Sequence, residues 1–115
     1  MARLSMPIES IRNHYTIVVI GSGYGGGIAA SRLARTGRQV CVLERGKEFF
    51  PGDFPDTLPE AAANSQFNTP RGRFGSETDL FDFHTNSDIN VLVGCGLGGT
   101  SLINANVVIE PATER

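Results

Sequence analysis

Residues Gly21-Ser22-Gly23-Tyr24-Gly25-Gly26 fit the spacing G-x-G-x-x-G, and an acidic side chain, Glu44, follows 23 positions after Gly21. These residue types could hold two phosphates and a ribose. Gly21 permits a sharp turn out of a strand. Gly23 has no β-carbon, so a pyrophosphate can approach its backbone, and Gly26 lets a helix sit close to a sheet. The start of such a helix offers unpaired N–H groups and positive dipole to an anion. A carboxylate about 20 residues further on suits the hydroxyl pair of a ribose, and it repels the 2′-phosphate of NADP. Alone, the glycines are a tight turn and Glu44 a solvated charge at a strand end. Their order along the chain makes dinucleotide binding the better reading, and it leaves NAD and FAD equally served.

The elements that must position these residues are legible around them. Ile17-Val18-Val19-Ile20 is a continuous β-branched run, expected as a strand buried on both faces of a parallel sheet. From about Gly25 to Thr36, Gly26, Ala29, Ala30, Leu33 and Ala34 recur at helical spacing, and Gly37 stands as the stop. Arg32 and Arg35 fall near the C-terminal end, where the helix dipole favours cations. Val40-Cys41-Val42-Leu43 is a second strand, closing one βαβ unit that ends at Glu44. The expected class is α/β: an incomplete Rossmann-like, FAD/NAD(P)-binding βαβ unit, then a long loop and a short β-hairpin.

Residues 1–14 read as a polar lead-in and 15–115 as the N-terminal part of a dinucleotide-binding domain. Within that part, 46–79 is broken by Pro51, Pro55, Pro59 and Pro70 and is expected to be an irregular excursion, with room for a short helix in "PEAAANSQF". Leu80–Phe83 and Ile89–Val93 are expected as two short strands, and "TSLINANVVIEP" could open with a short helix. A doubly wound fold needs more βα units than this. The expectation is therefore that the chain is a piece of a longer protein, with the remainder of its own chain as a partner.

Composition narrows the classes. A hydrophobic content of 40%, a charged content of 19% and a net charge of −2 describe an ordinary globular chain, with no electrostatic case for nucleic acid or an anionic membrane. No run reaches the ~20 apolar residues of a membrane span. The leader lacks an apolar core, so an intracellular, reducing location is the default expectation. Two cysteines make neither a metal site nor a disulfide framework. Cys41 reads as a small buried hydrophobe, and Cys95 as unactivated, with no cation near it in sequence. His84, beside a turn, reads as structural rather than as a catalytic base.

A second glycine run, "VGCGLGGTSLINANVVIEP", follows at residues 93–111. Read with "GSGYGGG" and "VLERG", it resembles the glucose–methanol–choline family of flavoprotein oxidoreductases, in particular the cholesterol oxidase-like branch. The resemblance covers residues 15–46 and 89–111, and the proline-rich middle matches only in placement and length. It implies FAD as cofactor. Gly21, Gly23, Tyr24, Gly25 and Gly26 would surround the pyrophosphate and ribose, and Glu44 would hold the adenine ribose. Gly98, Gly99 and Thr100 would approach the cofactor, with Asn104, Ala105 and Val107 beside the flavin end.

The sequence departs from that branch at Thr100, Ala105 and Asn106, where glycine is common or frequent, and at Cys95, where arginine or alanine can occur. These departures put the sterol preference in doubt and leave cofactor binding intact. The family's catalytic histidine and its partner lie further toward the C-terminus, so no residue here is assigned to catalysis. The implied activity is oxidation of a CH–OH group of a small-molecule alcohol, with hydride passing to flavin. Two other readings stand beside it: a NAD-linked Rossmann dehydrogenase, and a non-enzymatic FAD-fold module.

Overall fold

The computed structural model describes residues 2–105 and 107–110, so Met1, Asn106 and residues 111–115 lie outside the described residues. The β-branched run forms β1, Ile17–Ile20, which pairs in parallel with β2, Val40–Leu43, in the register Ile17↔Val40 to Ile20↔Leu43. Between them runs α1, Tyr24–Ala34. It ends two residues before the expected Thr36, because the chain tightens into three-residue turns. The N–H groups of Thr36 and Gly37 bond to the carbonyls of Leu33 and Ala34, and the Thr36 hydroxyl donates to Leu33 O at 2.6 Å. Gly37 then turns the chain at φ +77°, a left-handed conformation that suits glycine.

The expectation of a strand buried on both faces is corrected. Burial alternates along β1, and Val18 and Ile20 are exposed. The sheet has two strands and α1 lies on one face of it, so the other face keeps the β-branched character of an interior without a cover.

Residues 46–79, expected to be irregular, carry three elements. Thr57 caps α2, Leu58–Ala63, accepting from the Glu60 N–H, while the Glu60 carboxylate accepts from Asp56 N. Two strands follow, β3, Ser65–Thr69, and β4, Gly72–Phe74. The hairpin expected after Asp79 forms as β5, Phe81–His84, and β6, Val91–Gly94. Together they make a four-stranded sheet in the order β4-β3-β5-β6, in which β3 and β5 are parallel and the other pairs antiparallel.

This sheet inverts the usual polarity of its faces. The registered positions Phe74, Phe67, Phe83 and Leu92 form one row across all four strands. Phe67 and Phe83 are stacked at 5.0 Å, yet Phe67, Phe74 and Leu92 are exposed. The opposite face buries Gln66 and Asp82. Their polar atoms are satisfied: Gln66 Nε2 donates to Asp79 O at 2.8 Å, and Asp82 accepts from Arg45 and Asn68. Among the described residues, only Leu80 and Cys95 are buried hydrophobics. The polar cluster therefore carries much of the specification that an apolar core usually supplies.

The two sheets meet just after β2. Arg45 Nη2 lies 2.8 Å from Asp82 Oδ2, and His84 Nε2 lies 3.1 Å from Asp82 Oδ1, which ties His84 into this cluster. Lys47 bridges to Gly96, with the Leu97 N–H donating to Lys47 O at 2.8 Å. The lead-in is tethered to the same region, since the N–H groups of Leu4 and Ser5 donate to the Glu48 carboxylate.

Candidate dinucleotide-binding site

The site grows from the turn between β1 and α1. Gly21 takes φ +86°, and its N–H continues the ladder to Leu43 O at 2.8 Å. A β-carbon on Gly26 would run into the Gly21 carbonyl and approach Val19, so only glycine lets α1 lie this close to the strand. Gly23 is the N-cap of α1. It supplies no side-chain cap, and no acidic residue follows in the first turn. The helix start thus keeps N–H donors and positive dipole for an anion. A β-carbon at Gly23 or Gly25 would meet nothing within 4 Å, so the space in front of these donors is open. Tyr24 is exposed on the same turn.

Glu44 stands directly beneath this turn. Its Oε2 accepts from the Ser22 N–H at 3.0 Å and the Ser22 hydroxyl at 2.6 Å, and its Oε1 accepts from the Gly46 N–H at 2.8 Å. Burial pushes its pKa up. The Ser22 hydroxyl and the N–H groups of Gly46, Ser22 and Arg45 more than offset this and hold it below the ordinary value. The group is therefore an oriented carboxylate, able to accept from a sugar hydroxyl.

The second glycine run closes on the first. After β6, Gly98 takes φ +110° and Gly99 φ +65°, and a 3-10 helix, Gly99–Ile103, begins. The Gly98 N–H donates to Ser22 Oγ at 2.9 Å. A β-carbon on Gly99 would stand 2.8 Å from Gly23 Cα, so the two runs touch backbone to backbone. Thr100 turns its hydroxyl back to accept from the Gly94 N–H at 3.3 Å.

Beyond the 3-10 helix, Asn104 and Ala105 border a cleft of about 370 Å³ shared with Phe54, Leu80, Phe81 and Leu102. Ala105 takes φ +53°, the only positive value among the described non-glycine residues. Val107 bonds through its N–H to Asn104 O at 3.1 Å, and its side chain is exposed, outside that cleft.

Gly21, Gly23, Tyr24, Gly25, Gly26, Glu44, Gly98 and Gly99 are thus brought together at one junction. Thr100 joins it through the backbone, and Asn104 and Ala105 line the neighbouring cleft. Sequence reasoning missed Ser22, an unspecified position of the motif, and Gly46, whose β-carbon would run into Gly96 and Cys95. The signal for Gly46 was its place two residues after the carboxylate Glu44, at the end of the second strand. Among the described residues no helix is long and apolar enough to cross a membrane.

A strand, a glycine turn, an uncapped helix start and a carboxylate at the next strand end define a Rossmann-type dinucleotide-binding unit. A family profile described as an NAD(P)-binding Rossmann-like domain matches residues 19–52, which span the motif and Glu44. A cholesterol oxidase of Mycobacterium tuberculosis (strain ATCC 25618 / H37Rv) is 35% identical over 98 residues, covering 84% of this chain and 16% of that protein. A long-chain-alcohol oxidase of Arabidopsis thaliana is 35% identical over 92 residues, covering 76% of this chain and 10% of the relative. An oxygen-dependent choline dehydrogenase of Stenotrophomonas maltophilia (strain K279a) is 34% identical over 102 residues, 88% of this chain and 18% of the relative. Over most of its length the chain is a homologue of the glucose–methanol–choline family of oxidoreductases. It spans under a fifth of the length of each of these relatives.

Proposed function

We propose that residues 15–115 form the N-terminal part of the FAD-binding domain of a glucose–methanol–choline oxidoreductase that oxidises CH–OH groups. The observation that carries this reading is the junction of the two glycine runs, where Gly98 bonds to Ser22 and Gly99 rests on Gly23. The βαβ unit and its carboxylate serve only the ADP half that NAD and FAD share. Here a second run is built onto the same turn and leads directly into a cleft bordered by Asn104 and Ala105.

In this reading the start of α1 holds the pyrophosphate at Gly21, Gly23, Tyr24, Gly25 and Gly26, and Glu44 holds the adenine ribose. Gly98, Gly99 and Thr100 follow the cofactor toward Asn104, Ala105 and Val107 at the flavin end. The open space at Gly23 and Gly25 fits a pyrophosphate, and the carboxylate of Glu44, with Oε1 outside the Ser22 bonds, fits a sugar hydroxyl. Bound FAD supplies the two-electron hydride acceptor. The described residues bind and orient it, and the substrate is a small-molecule alcohol. The remainder of the polypeptide supplies the base that takes the hydroxyl proton.

The absorption spectrum of the complete natural polypeptide tests this. Visible flavin bands, with FAD identified by mass after release, are expected. A colourless protein that binds NADH would overturn the FAD reading in favour of a NAD-linked dehydrogenase, and a colourless one that binds neither would favour a non-enzymatic module.

A further inference from the structure

Ser22 occupies a position that the motif leaves unspecified, yet among the described residues its hydroxyl alone is joined by side-chain hydrogen bonds both to the carboxylate and to the second glycine run. A hydroxyl has one proton and two lone pairs. Its proton goes to Glu44 Oε2, at 2.6 Å a short, charge-assisted bond. A lone pair takes the Gly98 N–H at 2.9 Å. Gly96 O, at 3.5 Å, is too far to compete for the proton. Glu44 Oε2 is then filled by two donors from one residue, the Ser22 N–H and hydroxyl. Oε1, which takes the Gly46 N–H at 2.8 Å and no donor from Ser22, is the oxygen turned to accept from a ligand.

We infer that Ser22 is a positioning residue for the cofactor. It turns Glu44 so that Oε1 faces the ligand, and it latches the second glycine run to the ribose-binding carboxylate, so that the two halves of the cradle hold one geometry. The inference rests on the dinucleotide reading proposed above. It goes beyond that reading in assigning the orientation of Glu44, and its coupling to Gly98, to a side chain whose hydroxyl is already engaged on both sides by the protein.

The test uses the complete natural polypeptide, stripped of cofactor, in five forms: wild type, Ser22→Ala, Ser22→Thr, Glu44→Gln and the Ser22→Ala/Glu44→Gln double variant. ADP, which carries the ribose and pyrophosphate without the flavin, and FAD are titrated by calorimetry across a pH series. Ser22→Ala is expected to weaken both ligands about tenfold, the loss typical of a hydrogen bond to a charged group. The acid limb of binding should also move to higher pH, because Glu44 loses the hydroxyl that favours its ionised form. Ser22→Thr, which keeps the hydroxyl, should restore most of the affinity. The double variant should bind no worse than the weaker single variant.

A residue that only stabilises the turn would lower affinity with no change in the acid limb, and its loss would add to that of Glu44→Gln. Either result, with wild-type binding intact, overturns the role of Ser22 alone. Wild-type protein that binds neither ADP nor FAD overturns the dinucleotide reading, and this inference with it. Should Ser22→Ala fail to fold, Ser22→Cys, of similar size and a weak donor, carries the same comparison.

Discussion

The two glycine runs look alike in sequence and serve opposite purposes. In the first, β-carbons at Gly23 and Gly25 would meet open space. In the second, β-carbons at Gly94, Gly96 and Gly99 would all press on neighbouring atoms, mostly backbone: Gly99 and Thr100, Leu102 and Lys47, and Gly23 respectively. One run leaves open space, where the proposed reading lays a ligand from outside the chain. The other is small so that the chain can cross itself. A glycine motif is therefore not evidence of a ligand until the space in front of each α-carbon is known. Gly26 shows the mixture within one run, since it alone of the first motif's glycines is required by close packing against the strand.

Gly46 is where a substitution should break this distinction most violently. It belongs to neither run, yet its β-carbon would overlap Gly96 and the carbonyl carbon of Cys95. Those atoms are backbone and cannot step aside as a flexible side chain could. Gly46→Ala is expected to cost on the order of 3 kcal/mol through overpacking, near the upper end for such changes, and to separate Glu44 from the second run. Denaturant unfolding of the complete polypeptide checks this. A loss below about 1 kcal/mol would mean that the crossing relaxes easily, which overpacked interiors seldom do.

Glu44 offers a second lever, because it is the point at which the crossing meets the ligand-facing turn. Its folded pKa lies below the ordinary 4.5. A depressed carboxylate contributes stability above its unfolded pKa and loses it as pH falls through the folded value. The contribution of Glu44 should therefore be complete near neutrality and disappear below about pH 4.5. Glu48 and Glu60 are also lowered, by the Ser5 hydroxyl and by the Asp56 N–H first, so the whole protein loses stability in the same window. Comparing Glu44→Gln with wild type isolates one carboxylate. The variant should show a shallower fall of unfolding free energy between pH 5 and 3, a range set by ordinary carboxylate titration. Parallel curves would mean that Ser22 and Gly46 do not hold the ionised form.

How much of this was legible depended on what each residue had to satisfy. β1, α1 and β2 announced themselves because apolar side chains at strand and helix periods had one job each. So did the hairpin of β5 and β6, with its "HTNSD" turn. β3 was hidden because its inward residue is Gln66 and its outward one Phe67, the reverse of the pattern that marks a half-buried strand. The burial of Gln66 is justified by acceptors on Glu77 and Asp79, more than ten residues away, and by the Arg73 guanidinium, which donates to its Oε1 at 3.4 Å. At the site, the glycines and Glu44 were visible through their spacing. Ser22 was invisible, since its two partners lie 22 and 76 positions away and only the folded chain brings them together.

Gly25 tests the open half of the comparison with an effect of opposite sign. It sits in the first turn of α1, with nothing within 4 Å of a β-carbon. Alanine loses less conformational freedom than glycine on entering a helix, so Gly25→Ala should stabilise the cofactor-free protein by about 0.5–1 kcal/mol. The same methyl would stand where the ligand approaches the helix start, so ADP affinity should fall. Stability and binding moving in opposite directions is what separates a glycine kept for a ligand from one kept for packing. If ADP affinity is unchanged, the open space in front of Gly25 is not where the phosphates lie.

The smallest effect belongs to Ala105, which carries the logic of the second run to its end. The chain leaves the 3-10 helix through a left-handed residue at φ +53°, a conformation that puts an L-residue's β-carbon against its own backbone. The related branch commonly has glycine there, and this chain has alanine. Ala105→Gly relieves a strain of about 1–2 kcal/mol and gives back about 0.5–1 kcal/mol in the greater freedom of the unfolded chain. A net gain of roughly 0.5 kcal/mol follows from these opposing terms, visible as a small rise in melting temperature. A fall instead would show that the alanine methyl makes contacts in the cleft beside Asn104 worth more than the strain it carries. The site would then have traded backbone ease for a fitted wall at the end where the flavin is proposed to lie.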